Sequence, residues 1–564
     1  MIRKCCQVTV VTACYYCVWV AALGAPGNAQ VVHVNQHVNL AGDGSSWSAA
    51  CKTLDQGLSI AKQGDQVWIA GATYRPGDGV LGPSASYLVD KGITLIGGFE
   101  GTESSADEAD PLAYPTVLSG DLGVQGLFSD NAYKVVRIDA PGQTVVLKGL
   151  IVTGGRGQGP PGQPGPVSGG GAGIVLVGGQ LRMEECLVER NEVVFIGSGA
   201  GLWIAEGLTA RAEKCTFRHN TAKGSGGAVH LEGGARFYGT GCVFQGNSSD
   251  NGGGAIHGWH ESPTLELRDC LLIGNSTTGI HGGGAVAWWS SVNSPTFDVL
   301  IARCTFAGNR VDVDDAFAQS ATGAALKMAG GTASVIDTIA WGNVTNALVN
   351  PHRQQVDVGG LQLGVPNSGS AMVLTRSCVQ GPIFWFTGSG NINSDPLFAD
   401  ILGPDGEEYT GDEDLRPDFG SPCIDSGGAG ALGQGLDLTG TPRWLDGDLD
   451  GVQMVDRGAL EYSHAQLSME AGPATVAVSI HGTQGLWGML LVGTPGGVTQ
   501  VPPYGLVLLD AVDPFVVAGV GYLPVSFAAA TPVPSLGLSV TVQALGLDVG
   551  SGAGSLSNAV VLDL

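Results

Sequence analysis

The sharpest chemical motif in the chain is Asp446-Gly447-Asp448-Leu449-Asp450-Gly451, three carboxylates at alternate positions closed by a glycine. Hard oxygen ligands at that spacing can wrap one cation, calcium above all, with the glycine supplying the turn. The pattern follows the first half of an EF-type loop and then departs from it. Asp456 comes one residue early, and Arg457 stands where a bidentate acid is needed. The expected metal ligands are Asp446, Asp448, Asp450 and Asp456; the alternative is a solvated acidic turn. Asp405 to Asp414 forms a second, weaker acidic loop.

A different chemistry is offered by imidazoles and indoles. Alignment of the glycine turns puts Trp203, His230, His257, Ala287 and Lys327 in one outward column, with Trp259, His260, Trp288 and Trp289 close by. Rings along such a strip can stack on sugar faces. The expected contact residues are Trp203, His230, His257, Trp259 and Trp288; the alternative is that these rings only cover strand surface. An enzyme acting on an extended polysaccharide, a lyase or glycoside hydrolase, is the competing function. A glycosidase of that kind needs a recurring carboxylate pair. Glu184, Glu206, Glu232 and Asp337 do not align as one, although His230 or His257 could act as a base.

A repeat must position these groups. Cys is followed five residues later by Asn at 186/191, 215/220, 242/247, 270/275 and 304/309, with an apolar residue two places after each Cys. Thr338 and Asn343 form a sixth copy. Successive Asn residues lie 29, 27, 28, 34 and 34 positions apart. Self-similarity at this period means stacked coils. In Cys215-Thr216-Phe217-Arg218-His219-Asn220, strand alternation turns Cys215 and Phe217 inward and Thr216 and Arg218 outward. Asn220 is expected in the turn, where its side chain tolerates left-handed angles and bonds locally. Equivalent short strands one repeat apart pair in parallel, and the crossover rule makes the coil right-handed. The expected fold is all-β: a right-handed parallel β-helix followed by a small C-terminal β-sandwich. The Cys column is expected to be a ladder of small buried apolar groups.

Composition sets the surroundings. The chain has 564 residues, 92 of them Gly, and a formal charge of −25, which argues against nucleic acid as a partner. Residues 1–29 read as a secretory signal: Arg3 and Lys4, an apolar run from Val8 to Leu23, then Gly27-Asn28-Ala29 before the cut. Val11–Cys14 as a lipobox, and a retained anchor, are competing readings. Residues 30–65 are expected to cap the first coil with a short helix from Thr53 to Ala61. Residues 66–390 form the helix, 391–462 an acidic segment, and 466–564 a sandwich without Lys or Arg. Phe515 to Ala530 is too short and too broken by Gly and Pro to span a membrane. A monomer, secreted or at the outer cell surface, is expected, with extracellular polysaccharide or cell-surface components as partners and no transmembrane helix in the mature chain.

Gly-Gly-Ala-Val/Ile at 226–229, 253–256 and 283–286, with Phe-x-x-Asn at 217–220, 244–247 and 306–309, resembles the repeats of polymorphic outer-membrane proteins. Gly42-Asp43-Gly44-Ser45-Ser46-Trp47 and Gly64-Asp65-Gln66-Val67-Trp68-Ile69-Ala70 resemble the opening of large secreted bacterial β-helix proteins. Asp395-Pro396-Leu397-Phe398, Gly420-Ser421-Pro422-Cys423-Ile424-Asp425-Ser426-Gly427 and Asp456-Arg457-Gly458-Ala459-Leu460-Glu461-Tyr462 resemble the choice-of-anchor Q pattern. The resemblance implies a secreted or surface-displayed protein. The polymorphic proteins end in a long outer-membrane barrel, for which about 100 residues after the acidic segment are too few.

Overall fold

The computed structural model describes residues 29–157, 170–195, 197–261, 263–289, 298–313, 323–346, 356–358, 371–381, 386–428, 435–448 and 452–463, together with backbone strands between 465 and 563. The segment read as a secretory signal lies outside the described residues, apart from Ala29.

Parallel sheets wind into a solenoid. Each regular coil contributes two strands to one long sheet and one strand to each of two others. Leu202–Ile204 pairs in parallel with Val229–Leu231, which pairs with Ile256–Trp259, then Val286–Trp289, then Leu326–Ala329. On the second sheet Val188, Phe217, Phe244, Leu272 and Phe306 stand in register and are buried. Phe217 and Phe244 stack 5.1 Å apart with planes at 5°. Burying each such side chain contributes about 1.5–3 kcal/mol. Cys186, Cys215, Cys242, Cys270 and Cys304 are free and buried, most of their thiols donating to carbonyls of the coils.

The Asn column does more than turn the chain. Each Asn side chain points inward, and its Oδ1 accepts from both the backbone N–H and the side-chain Nδ2 of the Asn one coil earlier. Asn220 donates to Asn247 at 3.1 and 3.0 Å, and Asn247 to Asn275 at 3.0 and 2.9 Å. The Nδ2 group also donates to a carbonyl of the preceding coil, as Asn247 does to Phe217 at 2.9 Å. The run continues from Asn191 to Asn343. The left-handed residue is therefore not the Asn, as expected from sequence, but the one before it: Arg190, His219, Gly246, Gly274, Gly308 and Gly342 all have φ between 52° and 67°. The Asn must aim inward to reach its neighbour, so the corner falls one position earlier.

The start of the coil is closed by the helix Leu54–Ile60, whose Thr53 and Gln56 form a capping box. Residues 30–65 are more than a cap, because Val31–Val34 already pairs in parallel with Gln66–Ala70.

Thr387 and Ile392 still bridge in parallel to Val373 and Cys378 as a last rung of the solenoid, and the described residues between Leu397 and Ser463 fold back as a strap along the outside of the second sheet. Leu415, Ala459 and Leu460 pack on Ile273 and Ala307. Ala459 N–H donates to Thr305 Oγ1 at 3.0 Å, Gly458 N–H to Asp337 O at 2.8 Å, and Gln245 Nε2 to Thr410 O at 2.6 Å. Tyr409 lies against the corner column at Gly274, Gly308 and Gly342. A Cβ at Gly308 would come within 2.1 Å of Tyr409 Cγ, and one at Gly342 within 2.2 Å of its hydroxyl. Earlier corners carry Arg190, His219 and Gly246, the last covered by the His219 ring, and all three corners under Tyr409 are glycine. Arg443, side chain 2% exposed, anchors it by contacting Asp269 at 2.8 Å and Glu461 at 3.1 Å. Burial opposes its charge, but Asp269, Glu461 and Asp437 outweigh burial and hold its pKa above the ordinary value.

Among the strands after residue 464, pairing is antiparallel throughout, in three-, four- and two-stranded sheets.

Asn247→Ala removes an acceptor shared by two donors of Asn220 and a donor to Phe217 O. The expected loss is about 1–3 kcal/mol, measured by denaturant unfolding against the exposed control Thr240→Ala. Equal, small losses in the two variants would show that the amide run contributes nothing.

Candidate functional site

Two groups of side chains remain after the core and the strap are accounted for. The first is the imidazole and indole column on the long sheet. Strand register sets Trp203, His230, His257, Ala287 and Lys327 side by side in successive coils. They lie outside the apolar lumen yet are buried, at 5, 4, 1, 2 and 6% exposure. Glycine turns cover them. A Cβ at Gly170 would meet the Trp203 indole at 2.4 Å, one at Gly199 the His230 Cβ at 2.8 Å, and one at Gly226 the His257 Cβ at 3.2 Å. The exposed strip expected at these positions is thus roofed, because the glycine turns fold down over it.

Trp288 departs further. It pairs with Gly258 and Met328 on the inward face and is 0% exposed in the apolar core. Its indole fills the space a side chain at 258 would need: a Cβ there would lie 2.4 Å from it. Strand alternation puts the neighbouring residue outside instead. Trp289 stands in register with Trp259, ring centroids 5.5 Å apart and both half-buried. His281 meets both indoles edge-on, at 5.9 and 4.9 Å, and the exposed His260 meets Trp259 at 4.6 Å. Position parity within Val286–Trp289 was the signal that separates Trp289 from Trp288.

Beneath this patch the polar groups form a short chain. His230 Nε2 lies 3.3 Å from Glu232 Oε1, and His230 Nδ1 lies 3.3 Å from His257 Nδ1, the two imidazoles stacked at 9°. If Nε2 of a neutral His230 donates to Glu232, its Nδ1 accepts from His257, whose Nε2 is then a buried acceptor with no hydrogen-bond partner. The His230 hydrogen bond holds the Glu232 carboxyl below its usual range, against its burial. Burial pushes His257 well below the ordinary histidine value, and the charges of His230 and His281 add to this. Burial, then Lys327, lowers His281 from the ordinary value.

The second group lies on the strap. Asp425, Asp446 and Asp448 bring carboxylate oxygens within 4.8 Å of one another. Asp450 falls outside the described residues. Asp456 is close by, but its two oxygens accept from Asp425 N–H at 2.8 Å and Tyr462 N–H at 2.6 Å, so it orders the loop rather than facing outward. Asp425 is the residue that spacing within 446–456 does not reveal. It belongs to Gly420–Gly427, takes a left-handed φ of 48°, and accepts from Asp448 N–H at 2.8 Å through Oδ2. Its Oδ1 is buried and has no hydrogen-bond partner. Burial and then the charge of Asp456 push Asp425 up to about 8, and burial pushes Asp456 up to about 7. A divalent cation would relieve this repulsion.

Separately, a cleft of about 260 Å³ between the capping helix and the first coils is lined by Lys52, Arg75, Asp78, Tyr74 and Tyr87 among others.

Residues 214–232 and 241–258 match the model of the Chlamydia polymorphic membrane protein repeat. The matched stretches hold Cys215, Phe217, Asn220 and His230, then Cys242, Phe244, Asn247 and His257, so the match falls on the ladders and the roofed column. It suggests a surface- or outer-membrane-associated β-helix protein. No curated protein matches the chain. Among the described residues, no helix is long and apolar enough to cross a membrane.

His257 is buried and His281 half-buried among His230, Glu232, His260 and Lys327, and folding favours their neutral forms. Their contribution is complete above the ordinary value of 6.5 and declines as pH falls below it, where the unfolded chain takes up protons first. Asp425 and Asp456, raised to about 8 and about 7, take up protons in the folded state over the same window and act in the opposite direction. The histidine effect is therefore read as a difference: between about pH 7.5 and about pH 5.5 the melting midpoint of the unaltered protein is expected to fall relative to that of His257→Gln. A constant difference between the two would remove His257 from the cause.

Proposed function

We propose that this chain is a surface-displayed β-helix protein with a structural and adhesive role, contacting extended carbohydrate through the face that carries Trp259 and Trp289. The observation that carries this reading is the pair of half-buried indoles on adjacent coils, with His260 and His281 beside them and Glu232 on His230 in the polar chain beneath. Two rings about one coil apart offer consecutive apolar platforms, and the carboxylate and imidazoles offer partners for sugar hydroxyls. Trp203, His230 and His257 act from beneath, by holding this face in shape. The arrangement favours binding over cleavage, since Glu232 is tied to His230.

The purified protein is expected to retain one or more plant or algal polysaccharides in affinity electrophoresis. Trp259→Ala and Trp289→Ala should each weaken retention by about tenfold or more, the scale of a stacking anchor. Unchanged retention in both variants, or release of reducing or ultraviolet-absorbing ends, would reject this reading in favour of another face or of an enzyme.

We also propose that Asp425, Asp446 and Asp448 hold a calcium ion that stiffens the strap, with Asp450 and a carbonyl or water completing the shell and Asp456 supporting the loop. The buried, unpartnered Asp425 Oδ1 supports this. Calcium at a hundredfold excess over its dissociation constant is expected to stabilise the fold by about 2.7 kcal/mol, read from melting in calcium against chelator. Asp425→Asn and Asp448→Ala should abolish the difference. An identical transition with and without calcium in the unaltered protein would leave an ordinary acidic turn.

A further inference from the structure

Eight cysteines are described, all free and buried. Five stand in the internal ladder, where stacked strands set their spacing at about 4.8 Å, poorly matched to the roughly 3.5–4.5 Å that disulfide Cβ atoms need. Cys378 is different. The ladder position in its coil belongs to Ser377, whose Oγ accepts from Thr338 N–H at 3.3 Å just as Thr338 Oγ1 accepts from Cys304 N–H. Cys378 is one residue further on, in register with Ile339 and Thr305, on the outer face of the second sheet. The strap arrives on that face and brings Cys423 with it. The two cysteines share one apolar cluster with Ile339, each 0% exposed. Cys378 Sγ donates to Ser394 O at 3.1 Å, while Cys423 is held by Ser421 Oγ and by Arg457 N–H. The Arg457 guanidinium spans the junction, donating to Ser377 O at 3.4 Å and Ser426 O at 3.1 Å. Nothing in this pair is constrained by strand stacking, because its members come from different layers.

We propose that Cys378 and Cys423 join in a disulfide that fastens the strap to the solenoid. Before the strap docks, the Cys378 thiolate attacks a small disulfide such as oxidised glutathione, giving a mixed disulfide and one glutathione thiolate. Docking then delivers the Cys423 thiolate to the Cys378 sulfur, closing the cross-link and releasing the second glutathione thiolate. Two protein thiols are oxidised and one glutathione disulfide is reduced to two thiols. In the docked state the Cys423 thiol beside it, together with the positive charge of Arg457, draws the Cys378 thiol below its ordinary value, against its burial. An oxidising compartment such as the outer surface favours the cross-linked form; the carbohydrate and calcium readings are not needed for it.

The test uses the full mature chain equilibrated in a defined glutathione buffer, so its outcome does not depend on where the protein resides. The chain is unfolded without reductant, alkylated, digested and mapped by mass spectrometry. The expected result is one linked pair, Cys378 with Cys423, with Cys51 and the five ladder cysteines alkylated. Alkylation of both Cys378 and Cys423, or a link from either to any other cysteine, overturns the proposal. Cys423→Ser guards against a mapping artefact. Reduction should lower the melting midpoint of the unaltered protein by several degrees and leave that of the variant unchanged. Equal shifts in both would also overturn it.

Discussion

The buried amide run from Asn191 to Asn343 is the constraint on which the rest of this structure depends. A solenoid of short strands leaves backbone donors and carbonyls at every corner, and a corner that faces the lumen cannot use water to satisfy them. Here each Asn takes two donors from the coil before it and returns one to a carbonyl of that coil. The corner residue ahead of it is forced left-handed, a conformation that costs about 1–2 kcal/mol for a residue with a Cβ. The ladder bonds offset that cost, which is why Arg190 and His219 can occupy the corner as well as glycine. With the corners set, register follows, and register aligns every other column in the molecule.

The outer corner column shows how the same geometry recruits a second layer. Where the corner keeps a side chain, the solenoid faces solvent. At Gly274, Gly308 and Gly342, Tyr409 lies directly on the backbone, whereas at Gly246 the His219 ring of the preceding coil covers the corner. The strap is then held by apolar packing on Ile273 and Ala307 and by a buried ionic junction of Arg443 with Asp269 and Glu461. A buried pair of this kind is weak as a source of stability but costly to break, because it strands a charge. It therefore works as a register pin. The acidic centre owes its geometry to this docking: Asp425 comes from one arm of the strap, and Asp446 and Asp448 from another. The solenoid and the acidic segment are one folded unit through these contacts, not two beads on a string.

The column of Trp203, His230 and His257 was aligned correctly by its glycine turns, yet its exposure was not. Turns rich in glycine can fold flat against a sheet, and flat turns cover what lies under them. The same column thus became a support for a neighbouring patch in which Trp259 and Trp289 carry the accessible area. A one-residue difference decides between Trp288 and Trp289, since alternate residues of a strand face opposite sides.

The sequence by itself determined the architecture. Period, Cys and Asn spacing, and glycine turns together required stacked parallel coils with an apolar lumen, and the capping helix was readable from Thr53 and Leu54. Local pattern also located the acidic loop at 446–456. It did not supply Asp425 as a partner, move Asp456 to a supporting role, or place Cys423 beside Cys378. Those relations join residues many positions apart through a strap whose path has no period, so no local pattern encodes them. Only tertiary packing, with Tyr409 on the bare corners and Arg443 buried against Asp269, decided where the strap lies and hence which side chains meet.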